Sequence, residues 1–141
     1  MSFDVFLQRF QDGKSAAADH ESVRRVLEGR RRSEIGGDAY DVQFDDGSHV
    51  EFSPGAFSLR GISQEVVAFM FEVAKAGRTV MFPAMEGSLC IFFDADQKAH
   101  LPRQLSEKFN VVECQSAEEL AELLSGGYSS WRAYRDRIVG K

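Results

Sequence analysis

Asp41, His49 and Glu51 are the residues whose types and spacing could do chemistry. They lie in a stretch that reads as strand, turn, strand: Tyr40 to Phe44, Asp45-Asp46-Gly47, then Ser48 to Phe52. A three-residue loop puts Gly47 where a left-handed backbone is needed. That register pairs Val42 with Val50 and Tyr40 with Phe52 on one apolar face. On the other face it sets Asp41 opposite Glu51 and Gln43 opposite His49. A slip of one residue would turn the whole apolar set outward, so the apolar pattern selects this register. Facing carboxylates repel across a ladder. Compensation could come from a metal held by Asp41, Glu51 and His49, a basic protein partner, or an arginine from elsewhere in the chain. The plainer alternative is a solvated hairpin whose side chains splay into water.

Three other groups compete with it. Trp131 and Tyr134 share one side of a C-terminal helix, with Arg132 and Arg135 beside them. Those types dominate binding hot spots, although a terminal helix docking its aromatics on a sheet has the same pattern. Met81, Phe82, Pro83, Met85 and Glu86 surround a second hairpin turn. Methionines and aromatics there could line an apolar ligand cleft or simply fill core. Arg24, Arg25, Arg30, Arg31 and Arg32 could form an anion site. They could equally complement a helix dipole, or pair with the acidic hairpin inside the molecule.

Signatures of catalysis are missing. There is no G-x-S-x-G elbow, H-E-x-x-H, Walker loop, G-x-G-x-x-G or C-x-x-C. Cys90 and Cys114 fall in apolar strand-like runs and read as small buried hydrophobes. No resident metal or other cofactor is implied beyond the conditional metal at Asp41, His49 and Glu51.

Elements must position these side chains. Phe3 to Phe10 reads as a strand ended by Asp12-Gly13. Asp19 caps a helix carrying Val23, Val26 and Leu27. Arg30 to Arg32 sit at that helix's C-terminal end, and Gly36-Gly37 breaks the chain. After the acidic hairpin, Phe57 to Arg60 reads as a strand. Ser63 caps a helix apolar around most of its girth, and Gly77 ends it. Thr79 to Phe82 and Leu89 to Phe93 form a second hairpin whose continuous apolarity predicts cover on both faces. Asp94 to Pro102 reads as loop and Phe109 to Cys114 as strand. Ser116-x-x-Glu119 is a capping box before Leu120, Leu123 and Leu124. A last helix begins near Ser129.

The expected fold is α+β: a largely antiparallel sheet built from two strand-helix-hairpin units, helices on one face, plus a C-terminal strand and two helices. With 141 residues, one domain over 1–141 suffices. The element order of the first two-thirds resembles the duplicated strand-helix-hairpin architecture of GyrI-like and SOUL-like ligand-binding folds. The resemblance implies an apolar cleft between the repeats and transfers no functional residue. The run from Leu123 to Asp136, Leu-Leu-Ser-Gly-Gly-Tyr-x-x-Trp-Arg-x-Tyr-Arg-Asp, is similar to small bacterial proteins of unassigned function.

Net charge of -5 argues against nucleic-acid binding, which needs clustered cations. No apolar run could span a bilayer, and the N-terminus lacks a signal peptide's basic and apolar regions, so a cytoplasmic setting is expected. The expected function is a non-enzymatic protein-binding module, in one form immunity- or antitoxin-like. The alternatives are a small-molecule sensor or carrier and a metal-dependent enzyme.

Overall fold

The computed structural model of the protein describes residues 3–85, 88–126 and 133. The chain opens with strand β1 (Phe3–Gln11), a tight turn and strand β2 (Lys14–Ala16). Asp12 and Gly13 both have positive φ, 53° and 80°, the geometry a two-residue hairpin turn demands. Helix α1 (His20–Glu28) follows, then strands β3 (Arg31–Gly36), β4 (Ala39–Gln43), β5 (His49–Ser53) and β6 (Ala56–Leu59). Helix α2 (Gln64–Gly77) leads to strands β7 (Val80–Pro83) and β8 (Leu89–Phe92). Short helices α3 (Ala95–His100) and α4 (Leu105–Lys108) precede strand β9 (Asn110–Glu113), and residues 117–126 are helical (α5).

The nine strands among the described residues share one sheet of order β3-β4-β5-β6-β1-β7-β8-β9, with β2 beside β1. Every described pairing is antiparallel except β8 with β9. This is the expected α+β, mostly antiparallel architecture, with both hairpins in one sheet. Each unit's lead strand pairs with the other unit's hairpin: β6 with β5, and β1 with β7. The two units are read through in opposite senses, inward from the edge in the first and outward from β1 in the second.

The acidic hairpin has the register set out above: Val42 faces Val50, Tyr40 faces Phe52, Asp41 faces Glu51 and Gln43 faces His49. Gly47 takes φ of 87°, and its amide donates to the Phe44 carbonyl at 3.1 Å. The caps also form. Asp19 accepts from the Ser22 amide at 3.2 Å, Ser63 from Val66 at 3.2 Å and Ser116 from Glu119 at 3.2 Å.

Two segments differ from their reading. Arg31–Gly36 is a strand, not the trailing end of α1; it pairs along β4 at the sheet's edge, every residue exposed. Asp94 to Pro102 contains α3, capped by the Asp94 carboxylate accepting from the Asp96 amide at 2.9 Å.

Alternation along the strands sorts side chains onto two faces. On one, Val5, Val42, Val50, Phe57, Leu59, Met81, Leu89, Ile91 and Val112 meet α1, α2 and α5 in the main core. On the other, Val80, Cys90 and Phe92 meet Leu101 and Leu105 of the α3–α4 segment, with Phe10, Phe82 and Phe109 around them. The expectation that the second hairpin is covered on both faces therefore holds. The helices do not all share one face: α1, α2 and α5 lie on the first, and α3–α4 lies on the second.

Connection handedness gives the reason. α1 joins parallel strands β1 and β3 moving one way across the sheet, and α2 joins β6 and β7 moving the other way on oppositely directed strands, so both cross with one hand on one face. β8 runs in the same direction as β1, but its connection moves the opposite way. Keeping that hand puts the connection on the opposite face.

Candidate functional site

Asp41 and His49 come together on the second face. His49 Nδ1 lies 2.8 Å from Asp41 Oδ1. Gln43 Nε2 donates to Asp41 Oδ2 at 3.1 Å and to Ser33 Oγ at 3.2 Å. Asp41 alternates with Val42 and Gln43 with Phe44, so the residues that bury the hairpin also hold these polar groups outward. Partial burial pushes the Asp41 carboxyl up, but hydrogen bonds from Gln43 and His49, with the charges of His49 and Arg60, outweigh it and hold it below the usual range.

Asp41 thus finds its compensation inside the chain, from Gln43, His49 and the charge of Arg60. Arg31 Nη2 pairs with Asp45 Oδ1 at 3.0 Å in the neighbouring turn. The other arginines are dispersed instead of forming an anion site. Arg24 faces Glu28, Arg25 faces Glu21, and Arg30 pairs with Glu72 at 2.9 Å while lying over the Phe44 and Phe69 rings. Arg32 donates to the Leu27 carbonyl at 2.7 Å and lies over Tyr40.

Asp41, His49 and Glu51 do not assemble as metal ligands; among the described residues no group of three such side chains does. His49 Nδ1 is turned to Asp41 as in a carboxylate–imidazole pair, yet among the described residues no hydroxyl or thiol bonds to the ring. Chemically the cluster is a braced polar patch. Cys90 adds no nucleophile: burial pushes its thiol up to about 12.

The apolar cleft expected at Met81, Phe82 and Met85 is not assembled. Met81 is fully buried in the main core, whereas its neighbour Phe82 faces the second core, edge-on to Phe10 and Phe109. Consecutive strand residues point to opposite faces, so the two cannot line one cavity. Met85 packs at the margin of the main core. An apolar recess between α1 and α2 holds about 200 Å³, below the ~300–1,000 Å³ of ordinary ligand sites, and none of the three lines it. Trp131, Arg132, Tyr134 and Arg135 lie outside the described residues.

Sequence reasoning missed two apolar side chains beside the polar patch. Phe6 of β1 and Ile35 of β3 are 49% and 51% exposed and line one shallow cleft with Asp4, Ala39, Glu51, Ala56 and Ser58. Phe6 follows from the alternation of β1 once its neighbour Val5 is known to be core; Ile35 needed β3 to be recognised. The α3–α4 segment covers this face over β7–β9, and among the described residues no element covers it over β3–β6 and the first half of β1.

Neither a protein-family model, nor a curated protein, nor a solved structure matches the chain. Among the described residues no helix is long and apolar enough to cross a membrane.

Proposed function

We propose that this chain is a protein-binding module, and that it binds through the half of its second sheet face that no described element covers. The observation that carries the reading is the pair Phe6 and Ile35, two large apolar side chains half-exposed in one cleft. Apolar side chains gathered on an otherwise polar face mark interaction surfaces. Asp4 and Glu51 flank them, and Asp41 lies on the next strand pair. That rim favours a partner segment in which Lys or Arg alternates with apolar residues. The face is favoured over the sheet edge. Arg31, Arg32 and Glu34 put charges along β3, the device by which edge strands resist pairing with foreign strands. A role in masking a basic site on another protein, as an immunity protein or antitoxin does, is one concrete form.

Binding of a Lys/Leu-alternating probe peptide, followed by amide chemical shifts, tests the face. Shifts should map to β1 and β3–β6. The double variant Phe6→Ser, Ile35→Ser should lose them while melting at or near the wild-type temperature, because neither side chain belongs to the buried core. Shifts that map elsewhere, or that persist in the variant, overturn the assignment. A wild-type dimer in gel filtration that the same variant dissociates would give the face to self-association and also overturn it.

A further inference from the structure

A crevice of about 440 Å³ opens at the carboxyl ends of β1 and β8. These two strands run the same way with β7 between them, and their connections leave in opposite directions on opposite faces of the sheet. The end of β1, the end of α2 and helix α3 meet around this end of the sheet and leave the crevice open between them.

The walls are braced from several elements. The His100 carbonyl accepts from the Gly13 amide at 2.9 Å, and His100 Nδ1 accepts from the Asp12 amide at 3.2 Å, which ties α3 to the β1–β2 turn. Asp12 Oδ1 lies 3.5 Å from the same nitrogen, so both Asp12 contacts are made at Nδ1 and neither engages Nε2. Gln97 bridges the Phe93 amide, at 2.7 Å, and the Thr79 carbonyl, at 3.2 Å. Asp94 is spent on capping α3.

Cations line the opening in a chain whose net charge is -5. Arg9 comes from β1, and Lys75 and Arg78 from the end of α2. Among the described residues none of the three is in an ion pair within 4 Å, though the charges of Arg78 and Arg9 act on the Asp19 carboxylate, Arg9 donates to the Ala17 carbonyl at 3.2 Å and Lys75 lies over the Phe71 ring. Arg78 is the telling one. α2 ends with the Thr79 amide donating to the Ala74 carbonyl at 3.0 Å and the Arg78 amide to the Lys75 carbonyl at 3.2 Å. This closure sets the residue after the helix in a left-handed conformation, where glycine is usual. Arg78 occupies it with φ of 57°. A long side chain held in that strained conformation, on the wall of a crevice, is a candidate for function.

We propose that this crevice binds an organic phosphate, with Arg9, Lys75 and Arg78 holding the phosphate oxygens and His100 Nε2 donating beside them. The two guanidinium forks match phosphate geometry. Asp96, on the same rim, fits hydroxyl or amino donors of the carbon skeleton. The volume suits a ligand up to nucleotide size.

Thermal melting at low salt with inorganic phosphate, glycerol 3-phosphate and adenosine 5′-monophosphate, against citrate as the carboxylate control, tests it. At least one phosphate ester should raise the melting temperature by roughly 5–10 °C at about 100 times its Kd. Arg78→Gly should melt higher than wild type without ligand and bind on the order of 10- to 100-fold more weakly. Lys75→Gln should weaken binding while leaving the unliganded melting temperature little changed. Absence of any shift, equal shifts in Arg78→Gly, or citrate acting as strongly as the esters would overturn the assignment. The sheet-face reading is untouched by any of these outcomes.

Discussion

Asp41 shows how one residue's surroundings decide its chemistry. Its carboxyl is held below the ordinary range in the folded state. A group of that kind stabilises the fold at pH values above its unfolded pKa, and the contribution is lost as pH falls through the folded one. Urea unfolding should show stability dropping below about pH 4, with Asp19 and Asp46, also held down, titrating in the same direction. Asp41→Asn should cost roughly 1 kcal/mol at pH 7, a value discounted for partial exposure, and should flatten the acid limb of the profile. An unchanged acid limb would mean that the bonds to Gln43 and His49 carry no free energy. Cys90 gives the opposite case: its thiol is buried beneath the α3–α4 segment and held protonated, so labelling by a thiol reagent should follow opening of that cover, not native exposure.

At the scale of elements, the α1–α2 contact rests on Gly77. A methyl group there would lie 3.0 Å from Val23 Cγ2. Helix propensity favours alanine over glycine by ~1 kcal/mol, whereas overpacking costs ~1–3 kcal/mol. Val23 is backed by α1 and is itself 8% exposed, so the clash wins. Gly77→Ala should lower the urea midpoint by the equivalent of about 1 kcal/mol, and in a Val23→Ala background the same change should be neutral or stabilising. Failure of that reversal would separate Gly77 from the α1–α2 approach. The elements also show what was legible. Strict alternation in Tyr40-Asp41-Val42 and Val50-Glu51-Phe52 fixed register and faces, and the caps at Asp19, Ser63 and Ser116 marked helix starts. β3 was not legible because Arg-Arg-Ser-Glu-Ile-Gly carries no apolar alternation; its partner strand, not a buried face, makes it a strand. α3 was masked by its polarity, since none of its residues is buried. The polar patch could be read from one hairpin, but Phe6 and Ile35 share a cleft, and Arg9 and Arg78 a crevice, only through strand order, which local pattern does not carry.

The whole molecule is a sheet between two unequal cores. Among the described residues the first face gathers most of the buried side chains under α1, α2 and α5, while the second buries only Val80, Cys90 and Phe92 outright, under helices that bury none of their own residues. β1 stands between the halves, pairing with β6 on one side and β7 on the other. Losing α3–α4 would expose a small core and break the ties from Gln97 and His100, whereas separating β1 from its neighbours would split the sheet. Sub-global opening should therefore begin at α3–α4, and β1 should open only with the whole. Native-state hydrogen exchange in rising urea checks this. Amides of α3 and α4 should exchange with little dependence on urea, and those of β1, β6 and β7 should converge on the global unfolding isotherm. One shared isotherm for both sets would mean that the two cores unfold as a unit. Because α3 is also a wall of the crevice between β1 and β8, a bound phosphate ester should slow exchange in α3 more than in β3, linking the local stability of that segment to occupancy of the site.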